Sequence, residues 1–235
     1  MSTLSTLRRS IPVSNGAPLL ENGDRMKQPE FHKRYLACPE GIIFELIGGT
    51  VYMASPLRYP HGSYTQLLSG VFVVYAAGTP GVEGADNATV ILGEESEPQP
   101  DSALRLLPEY GGQSYVDEDE YLVGAPELLA EVAYSSRAID LNQKRDDYER
   151  AGVQEYLVFS IEERQLCWFH FATGKMIRPR EGVSRSRVFP GLWIDNAALV
   201  ARESARLIEV AQQGLASSAH AAFVKRLQAE RRKRT

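Results

Sequence analysis

Cysteine is scarce in this sequence, since Cys38 and Cys167 are the only two among 235 residues. They lie far apart and form no CxxC or Cys/His spacing, which argues against a disulfide framework and against a zinc module. A chain of this length buries about 70% of the surface that its unfolded state exposes, so it needs no cross-link to hold a core. We expect a globular protein of a reducing compartment, the cytoplasm.

Long hydrophobic runs are also absent. The longest nearly uninterrupted apolar stretch, residues 70–77, is far shorter than the roughly 20 residues that a membrane-crossing helix requires. Arg8 and Arg9 are followed by polar, proline-broken sequence rather than by the apolar region of a secretion signal. We therefore expect no membrane segment and interpret residues 1–25 as a flexible leader.

Several familiar catalytic motifs are missing. The sequence contains no GxGxxG, GxxxxGK[ST], GxSxG or HExxH pattern. Dinucleotide-binding, P-loop, α/β-hydrolase and zincin functions therefore lose their usual sequence support.

Positive charge is concentrated at the C-terminus. The whole chain has 26 Lys+Arg against 30 Asp+Glu, a formal net charge of -4. Residues 221–235 hold six Lys/Arg against Glu230 alone, a net +5, which leaves -9 for the preceding residues. Any contact with a polyanion such as DNA must therefore be local, through this basic tail or through one cleft.

A glycine pair predicts a hairpin near the start of the globular part. Residues 42–47 and 50–55 are rich in β-forming side chains, and Gly48-Gly49 between them readily takes the positive φ angles of a two-residue turn. Helices are predicted on either side of the hairpin, over residues 30–37 and from Pro60 to Gly78.

The rest of the chain alternates apolar strands with one charged helix. Residues 126–134 and 154–160 are typical of central strands covered on both faces, and the helix 140–151 between them suggests a right-handed crossover. The acidic segment 108–124 is predicted as a long exposed loop. Other strands are predicted at 88–92, 102–106, 164–172, 174–179 and 188–194, the last three as a meander, before a final helix capped by Asp195 or Asn196 and interrupted near Gly214. These elements predict an α/β fold of mixed α+β type, with a mixed sheet flanked by helices.

Glu131 is an acidic residue inside an apolar strand, where an unpaired charge costs several kcal/mol. A metal ion, a cationic side chain or a raised pKa could each compensate it, and an ordinary ion pair is the plainer interpretation. Asp101 follows Pro100 at the entry of another strand, so two carboxylates could meet at neighbouring strand ends and hold Mg²⁺. The plainer interpretation of Asp101 is a turn residue.

Three more residues are candidates for the same site. Glu45 interrupts the apolar run 42–47 and is a plausible third metal ligand. His61 lies at the predicted start of a helix, where a surface or capping role is the alternative. Lys144 could fold back to the carboxylates and stabilise charge on a scissile phosphate, or it could simply pair with Asp140 four residues earlier.

Taken together, these segments resemble the Uma family of restriction-endonuclease-like proteins, within the PD-(D/E)xK nuclease superfamily. The resemblance spans roughly residues 30–200 and is carried by Pro100-Asp101, Glu131-Val132-Ala133, Asp140xxxLys144xxxTyr148 and AGVQEYLVF. It implies a restriction-endonuclease-like domain at 26–200, followed by a helical basic tail at 201–235.

The resemblance also implies roles for single residues. It makes Asp101 and Glu131 metal ligands and places Glu45 and His61 nearby. Because Ala133 stands where the family pattern has lysine, the catalytic lysine would have migrated to Lys144. The family pattern commonly has Ser-Pro after this strand, whereas this chain has Ser135-Ser136.

The function implied is an endonuclease that hydrolyses DNA phosphodiester bonds with Mg²⁺ or Mn²⁺, as a homodimer. Two alternatives stay open at this point. The chain could be a catalytically inactive nuclease-fold scaffold that binds a partner, or the basic tail could carry the main activity by binding nucleic acid or an acidic protein.

Overall fold

The computed structural model describes residues 19–134 and 136–234. Most of the leader predicted at residues 1–25 thus lies outside the described residues. The described part contains thirteen strands, which in chain order are β1 (Phe44–Ile47), β2 (Thr50–Met53), β3 (Val82–Asp86), β4 (Val90–Ile91), β5 (Ser102–Leu106), β6 (Tyr115–Val116), β7 (Leu122–Val123), β8 (Leu128–Ala133), β9 (Glu155–Ser160), β10 (Gln165–His170), β11 (Lys175–Met176), β12 (Val183–Arg185) and β13 (Trp193–Asp195).

Six α-helices accompany these strands in the same part of the chain. They are α1 (Gln28–Tyr35), α2 (Tyr59–Ala77), α3 (Arg145–Ala151), α4 (Asn196–Ala201), α5 (Ser204–Leu215) and α6 (Ser218–Arg234). A π-helical turn over Ile139–Lys144 leads directly into α3. Among the described residues, no helix combines the length and the apolar character that crossing a membrane would need.

A six-stranded mixed sheet forms the centre of the fold, with the spatial order β11-β10-β9-β8-β5-β3. Strands β8 and β9 are parallel neighbours, as the strand, helix and strand pattern predicts, and their other neighbours are antiparallel. Every residue of β8 and β9 is buried. The mixed α and β architecture predicted from the sequence is confirmed.

Apolar cores cover both faces of this sheet. On one face, alternate residues of β8 such as Leu128 and Val132 pack in a large cluster with α2, α5 and α6. On the other face, Leu129 and Ala133 pack with Tyr148 of α3. The alternation of side chains along a strand thus divides β8 between two cores, and Glu131 lies on the α3 side.

The predicted hairpin and the two helices beside it are confirmed. Gly48 and Gly49 take φ angles of 55° and 75°, which a two-residue turn of this kind requires and which glycine adopts without steric cost. The ordered contacts of this hairpin begin before residue 26: the Gly23 N–H donates to the Val51 carbonyl at 2.8 Å.

Two other predicted segments need correction. Residues 108–124 are not a long exposed loop: they contain β6 and β7, and Tyr110 and Leu122 are buried. The strand predicted at 88–92 is shorter in the structure, where only β4 is a strand, and it pairs with β7 in a separate small sheet. Strand β3 was not predicted, because its sequence VEGAD carries two acids and a glycine and is largely exposed.

The predicted meander ends at β11. Residues 188–194 contribute only the start of β13, which pairs with β12 in a separate two-stranded ribbon. Asp195 caps α4, since its Oδ1 accepts from the Ala198 N–H at 3.0 Å. The final helix breaks first at Arg202, whose φ is 59°, and α5 continues through Gly214 and ends one residue later.

Candidate active site

Two buried carboxylates meet where β5 begins beside β8. The antiparallel register pairs Ser102 with Ala130, so Asp101 stands opposite Glu131. The Val132 N–H donates to Asp101 Oδ2 at 2.7 Å, which fixes this carboxylate at the strand entry. The two acids therefore lie beside each other on neighbouring strands, where the sequence pattern places them.

Lys144 reaches these carboxylates from the end of the π-helical turn. Its Nζ lies 2.8 Å from Glu131 Oε1 and 2.9 Å from Glu45 Oε1, with Asp140 Oδ1 at 3.9 Å. Such π-helical insertions re-aim side chains and are frequent at functional sites. The ammonium thus enters the site from the helix rather than from β8, where Ala133 is buried in the apolar core.

Glu45 and His61 complete the set. Glu45, on β1, accepts from the Gln99 N–H at 2.8 Å with the same oxygen that contacts Lys144. His61, in the first turn of α2, has its Nε2 3.2 Å from Asp101 Oδ2. The turn at Gly48-Gly49 and the helix start at Tyr59 bring these two residues to the sheet from the N-terminal part of the chain.

The site holds more negative than positive charge. Four carboxylates, those of Glu45, Asp101, Glu131 and Asp140, border the same cavity as the two fixed cations Lys144 and Arg58. Burial raises the pKa of Glu131 well above its ordinary value, and the neighbouring carboxylates raise it further, whereas Lys144 opposes this. Burial also raises the pKa of Asp140. An added cation would therefore lower the electrostatic free energy of this cluster.

Lys144 stays protonated in this environment. Burial by itself would lower the pKa of its ammonium, but the carboxylates of Glu131, Glu45 and Asp140 raise the pKa well above its usual value. A buried ammonium between carboxylates is a fixed positive charge, available to a phosphate that enters the site.

These groups line one cavity of about 400 Å³. All five residues singled out from the sequence border it, although their individual roles stay predictions. Its lining residues include Glu45, His61, Asp101, Glu131 and Lys144, together with Tyr52, Arg58, Tyr134 and Asp140. Arg58 lies over the Tyr134 ring, 5.5 Å from its centroid, at the wall of this cavity.

Sequence reasoning missed several members of the site. Asp140 belongs to the sequence pattern that carries the family resemblance and is interpreted there as a partner for Lys144, but its carboxylate also borders the cavity. Tyr148 stands four residues after Lys144 in the same pattern, but the sequence gives it no role, whereas in the structure its hydroxyl donates to Glu131 Oε1 at 3.1 Å. Arg58 and Tyr134 had no distinguishing pattern in the sequence.

The acidic side chains of the cavity do not form a complete metal cage. Within residues 19–134 and 136–234, no three His, Cys, Asp or Glu side chains are arranged to hold a metal ion together. The Lys144 ammonium contacts both Glu45 and Glu131 and therefore occupies the space between these two carboxylates. Asp101 and Glu131 remain as a pair, which matches the one or two carboxylates through which proteins usually bind Mg²⁺.

A model of the Uma2 family, described as "Putative restriction endonuclease", matches residues 29–198. The chain belongs to the Uma2 family. The match includes all five candidate residues of the acidic cavity, from Glu45 on β1 to Lys144 on the π-helical turn, and ends within α4. It thus agrees with the range of the resemblance found in the sequence.

A solved structure supports the fold assignment of this Uma2 member. The crystal structure of a putative nuclease belonging to DUF820 from Anabaena variabilis ATCC 29413 resembles it with a TM-score of 0.57 and 13% sequence identity. The similarity covers 72% of this chain and 96% of that chain. No curated protein sequence matches the chain.

Proposed function

We propose that this Uma2-family protein is a metal-dependent endonuclease that hydrolyses phosphodiester bonds of DNA. The observation that carries the proposal is the convergence of Asp101, Glu131 and Lys144 in one buried acidic cavity. Two carboxylates and one amine at the end of a central strand supply what phosphodiester hydrolysis needs, a cation site and a fixed positive charge.

The donor set suits a hard divalent cation. Glu131 uses Oε1 for both of its hydrogen bonds, and Asp101 uses Oδ2 for the contacts with Val132 and His61. The second oxygen of each carboxylate receives no hydrogen bond from the described residues. Asp101 and Glu131 would hold Mg²⁺ or Mn²⁺ through these oxygens, and the ion would polarise a phosphoryl oxygen of the substrate.

The remaining side chains act on substrate and water. Lys144 would exchange part of its contact with Glu45 and Glu131 for a non-bridging phosphate oxygen, and there it offsets the negative charge that grows in the transition state. The Glu45 carboxylate holds the Lys144 ammonium in position. The same carboxylate is itself fixed by the hydrogen bond that it accepts from the Gln99 N–H. His61 orients Asp101 through the 3.2 Å contact.

The first prediction concerns cleavage. Asp101→Asn or Glu131→Gln should reduce nicking of supercoiled plasmid DNA in Mn²⁺ by at least about a hundredfold, because each removes an ionised oxygen donor from the cation site. Glu149→Gln, an exposed carboxylate on α3, is the matched control and should cleave like the wild type. Equal nicking by highly purified wild-type and Asp101→Asn protein would refute the site assignment.

A second candidate function is a nuclease-fold scaffold that binds a partner without catalysis. The pairing of Lys144 with Glu131 and Glu45 favours it, since this ion pair already compensates part of the buried charge without a metal. Titration calorimetry with Mn²⁺ separates the two functions. A nuclease should bind the ion in a manner lost in Asp101→Asn, whereas a scaffold should show no such binding.

Three further expectations accompany the proposed nuclease. Cleavage of both strands of a duplex by one such site per chain calls for a homodimer, which sedimentation velocity would detect. Contact of the basic tail with DNA and residence in the cytoplasm likewise stay predictions.

A further inference from the structure

A second and larger cleft lies outside the acidic cavity, where the β11 edge of the large sheet meets the ribbon of β12 and β13. It encloses about 940 Å³ and is lined by residues of the segment 175–187. Five lining residues are cationic, and among the described residues no acidic one borders the cleft. We call this surface the basic cleft and define it by Lys175, Arg178, Arg180, Arg185 and Arg187.

The cationic side chains of the basic cleft form no ion pair within the described chain. None of its five side chains has a carboxylate at ion-pairing distance there, whereas arginines elsewhere, such as Arg105 and Arg206, pair at 2.5 and 3.2 Å. Unpaired cations gathered in one concave surface repel one another, and a polyanion relieves this repulsion. This concentration of cations stands out in a chain whose net charge is -4.

Arg185 gives an independent sign of a missing acceptor. Its guanidinium lies over the Trp193 ring, 4.2 Å from the centroid, which fixes the plane of the group. Its Nε is shielded from solvent and, among the described residues, has no hydrogen-bond partner. A shielded donor without an acceptor costs about 1–3 kcal/mol, so an incoming phosphate oxygen would satisfy it favourably.

Hydrogen bonds to a buried carboxylate fix the loop that carries these cations. The buried carboxylate of Glu155 accepts from the Arg187 and Val188 N–H groups at 2.7 and 3.2 Å, and from the Ser186 hydroxyl at 2.6 Å. These bonds fix the backbone between Arg185 and Arg187 in the free protein. The cleft therefore needs little ordering when it binds a ligand.

The basic cleft and the acidic cavity belong to the same sheet but lie on opposite faces of it, since Ile177 packs in the cluster with α2, α5 and α6 whereas Glu131 lies on the α3 side. Ile177 N–H donates to the Trp168 carbonyl, Trp168 pairs with Leu157, and Leu157 pairs with Ala130, the residue before Glu131. Strand β11 is three strand spacings from β8, about 14 Å.

We infer that the basic cleft binds the phosphodiester backbone of duplex DNA outside the acidic cavity. Four of its five cations are arginines, whose planar forks match phosphate oxygens. The otherwise acidic body needs one local cationic surface to retain a polyanion. The choice of DNA as ligand rests on the proposed function.

The test is salt-dependent binding of a fluorescein-labelled 20-base-pair DNA duplex, followed by anisotropy in EDTA so that no cleavage occurs. The exposed pair Arg178→Gln/Arg180→Gln should weaken binding by about tenfold per arginine at 0.1 M salt. The slope of log K against log salt concentration should fall in magnitude by about 2, because each phosphate contact contributes about 0.9.

The matched control removes the same charge outside the cleft. Arg25→Gln/Lys33→Gln changes two exposed cations outside both the cleft and the basic tail and should leave the slope as in the wild type. An unchanged slope in the cleft pair, an equal loss in both pairs, or no DNA binding by the wild type would overturn the inference. Binding of poly-L-glutamate as tight as that of DNA would also overturn it, in favour of an acidic protein partner.

Failure of this inference can be told apart from failure of the proposed nuclease. If the wild type never nicks plasmid in Mn²⁺ but the cleft pair loses DNA binding, only the nuclease proposal fails. If the wild type nicks plasmid and the cleft pair binds DNA unchanged, only the cleft assignment fails.

Discussion

At the scale of single residues, Lys144 allows several carboxylates to share one buried cavity. Its ammonium contacts Glu45 and Glu131 within 3 Å and lies 3.9 Å from Asp140. Removal of one partner from a buried ion pair leaves uncompensated charge and is far more costly than replacement of the whole pair. Stability and the proposed catalysis therefore depend on the same amine.

This leads to a prediction for Lys144→Met. The unfolding free energy should fall by about 3–5 kcal/mol, since three carboxylates lose their shared cation. Plasmid nicking should be lost as well. Urea denaturation measures the first effect and the nicking assay the second.

A double variant separates charge from packing. Glu131→Gln combined with Lys144→Met should recover a large part of the lost stability, because one fewer buried carboxylate is left unpaired, but it should not recover nicking. A double variant no more stable than Lys144→Met would show that the side-chain volume of Lys144, not its charge, is what matters.

At the scale of secondary-structure elements, the contact between β5 and β8 positions the two carboxylates of the site. The pairing covers only three residue pairs, from Ser102–Ala130 to Leu104–Leu128. Beyond it, the Leu106 N–H donates to the buried carboxylate of Glu127 at 2.7 Å. A side chain thus extends the contact between the two strands where the backbone ladder ends.

Glu127 makes this contact dependent on pH. Burial raises the pKa of its carboxyl, although the N–H of Leu106 opposes the effect. A carboxyl with a raised pKa in the folded state contributes stability that is fully present below its unfolded value, about 4.3, and that is lost as the pH rises through the folded value.

The corresponding variant is Glu127→Gln, which keeps an acceptor for Leu106 but does not titrate. The unfolding free energy of the wild type relative to this variant should be higher at pH 5 than at pH 8, by about 1 kcal/mol. Urea denaturation at the two pH values measures it, and the exposed Glu149→Gln should show no such difference. An advantage that grows toward pH 8 would contradict the raised pKa.

At the scale of the whole molecule, the basic C-terminal segment forms part of the main core. Phe223 and Leu227 of α6 are buried in the large cluster with α2 and α5. His220 Nε2 lies 3.0 Å from Thr79 Oγ1, and Arg231 donates to the Tyr110 hydroxyl at 3.1 Å. These contacts join α6 to the segment before β3 and to the segment after β5.

Deletion of residues 218–235 should therefore destabilise the protein. Loss of the buried Phe223 and Leu227 side chains corresponds to roughly 3–6 kcal/mol of unfolding free energy. Thermal and urea denaturation measure it, and Lys225→Gln/Arg232→Gln, which removes charge but keeps the packing, should unfold like the wild type. A truncated chain with the wild-type unfolding midpoint would mean that α6 is a detachable tail.

Much of the fold could be predicted from local sequence signals. Gly48-Gly49 predicted the hairpin, and Gly78 predicted the end of a helix, because glycine and proline act on the backbone within a few residues. The apolar runs of β8 and β9 predicted central strands, and a charge inside one of them, Glu131, pointed to the site. Strand β3 was missed because its weak sequence pattern is outweighed by its pairing with β5.

What the sequence alone determined is which residue types stand at unusual positions, such as the carboxylates of Glu45 and Glu131 in apolar strands. The tertiary structure decided which charges are compensated: Lys144 joins two carboxylates from distant segments, whereas the cations of the basic cleft meet no carboxylate among the described residues. The physical reason is that backbone preferences act between neighbours in the chain, while electrostatic and packing free energies depend on distances in space.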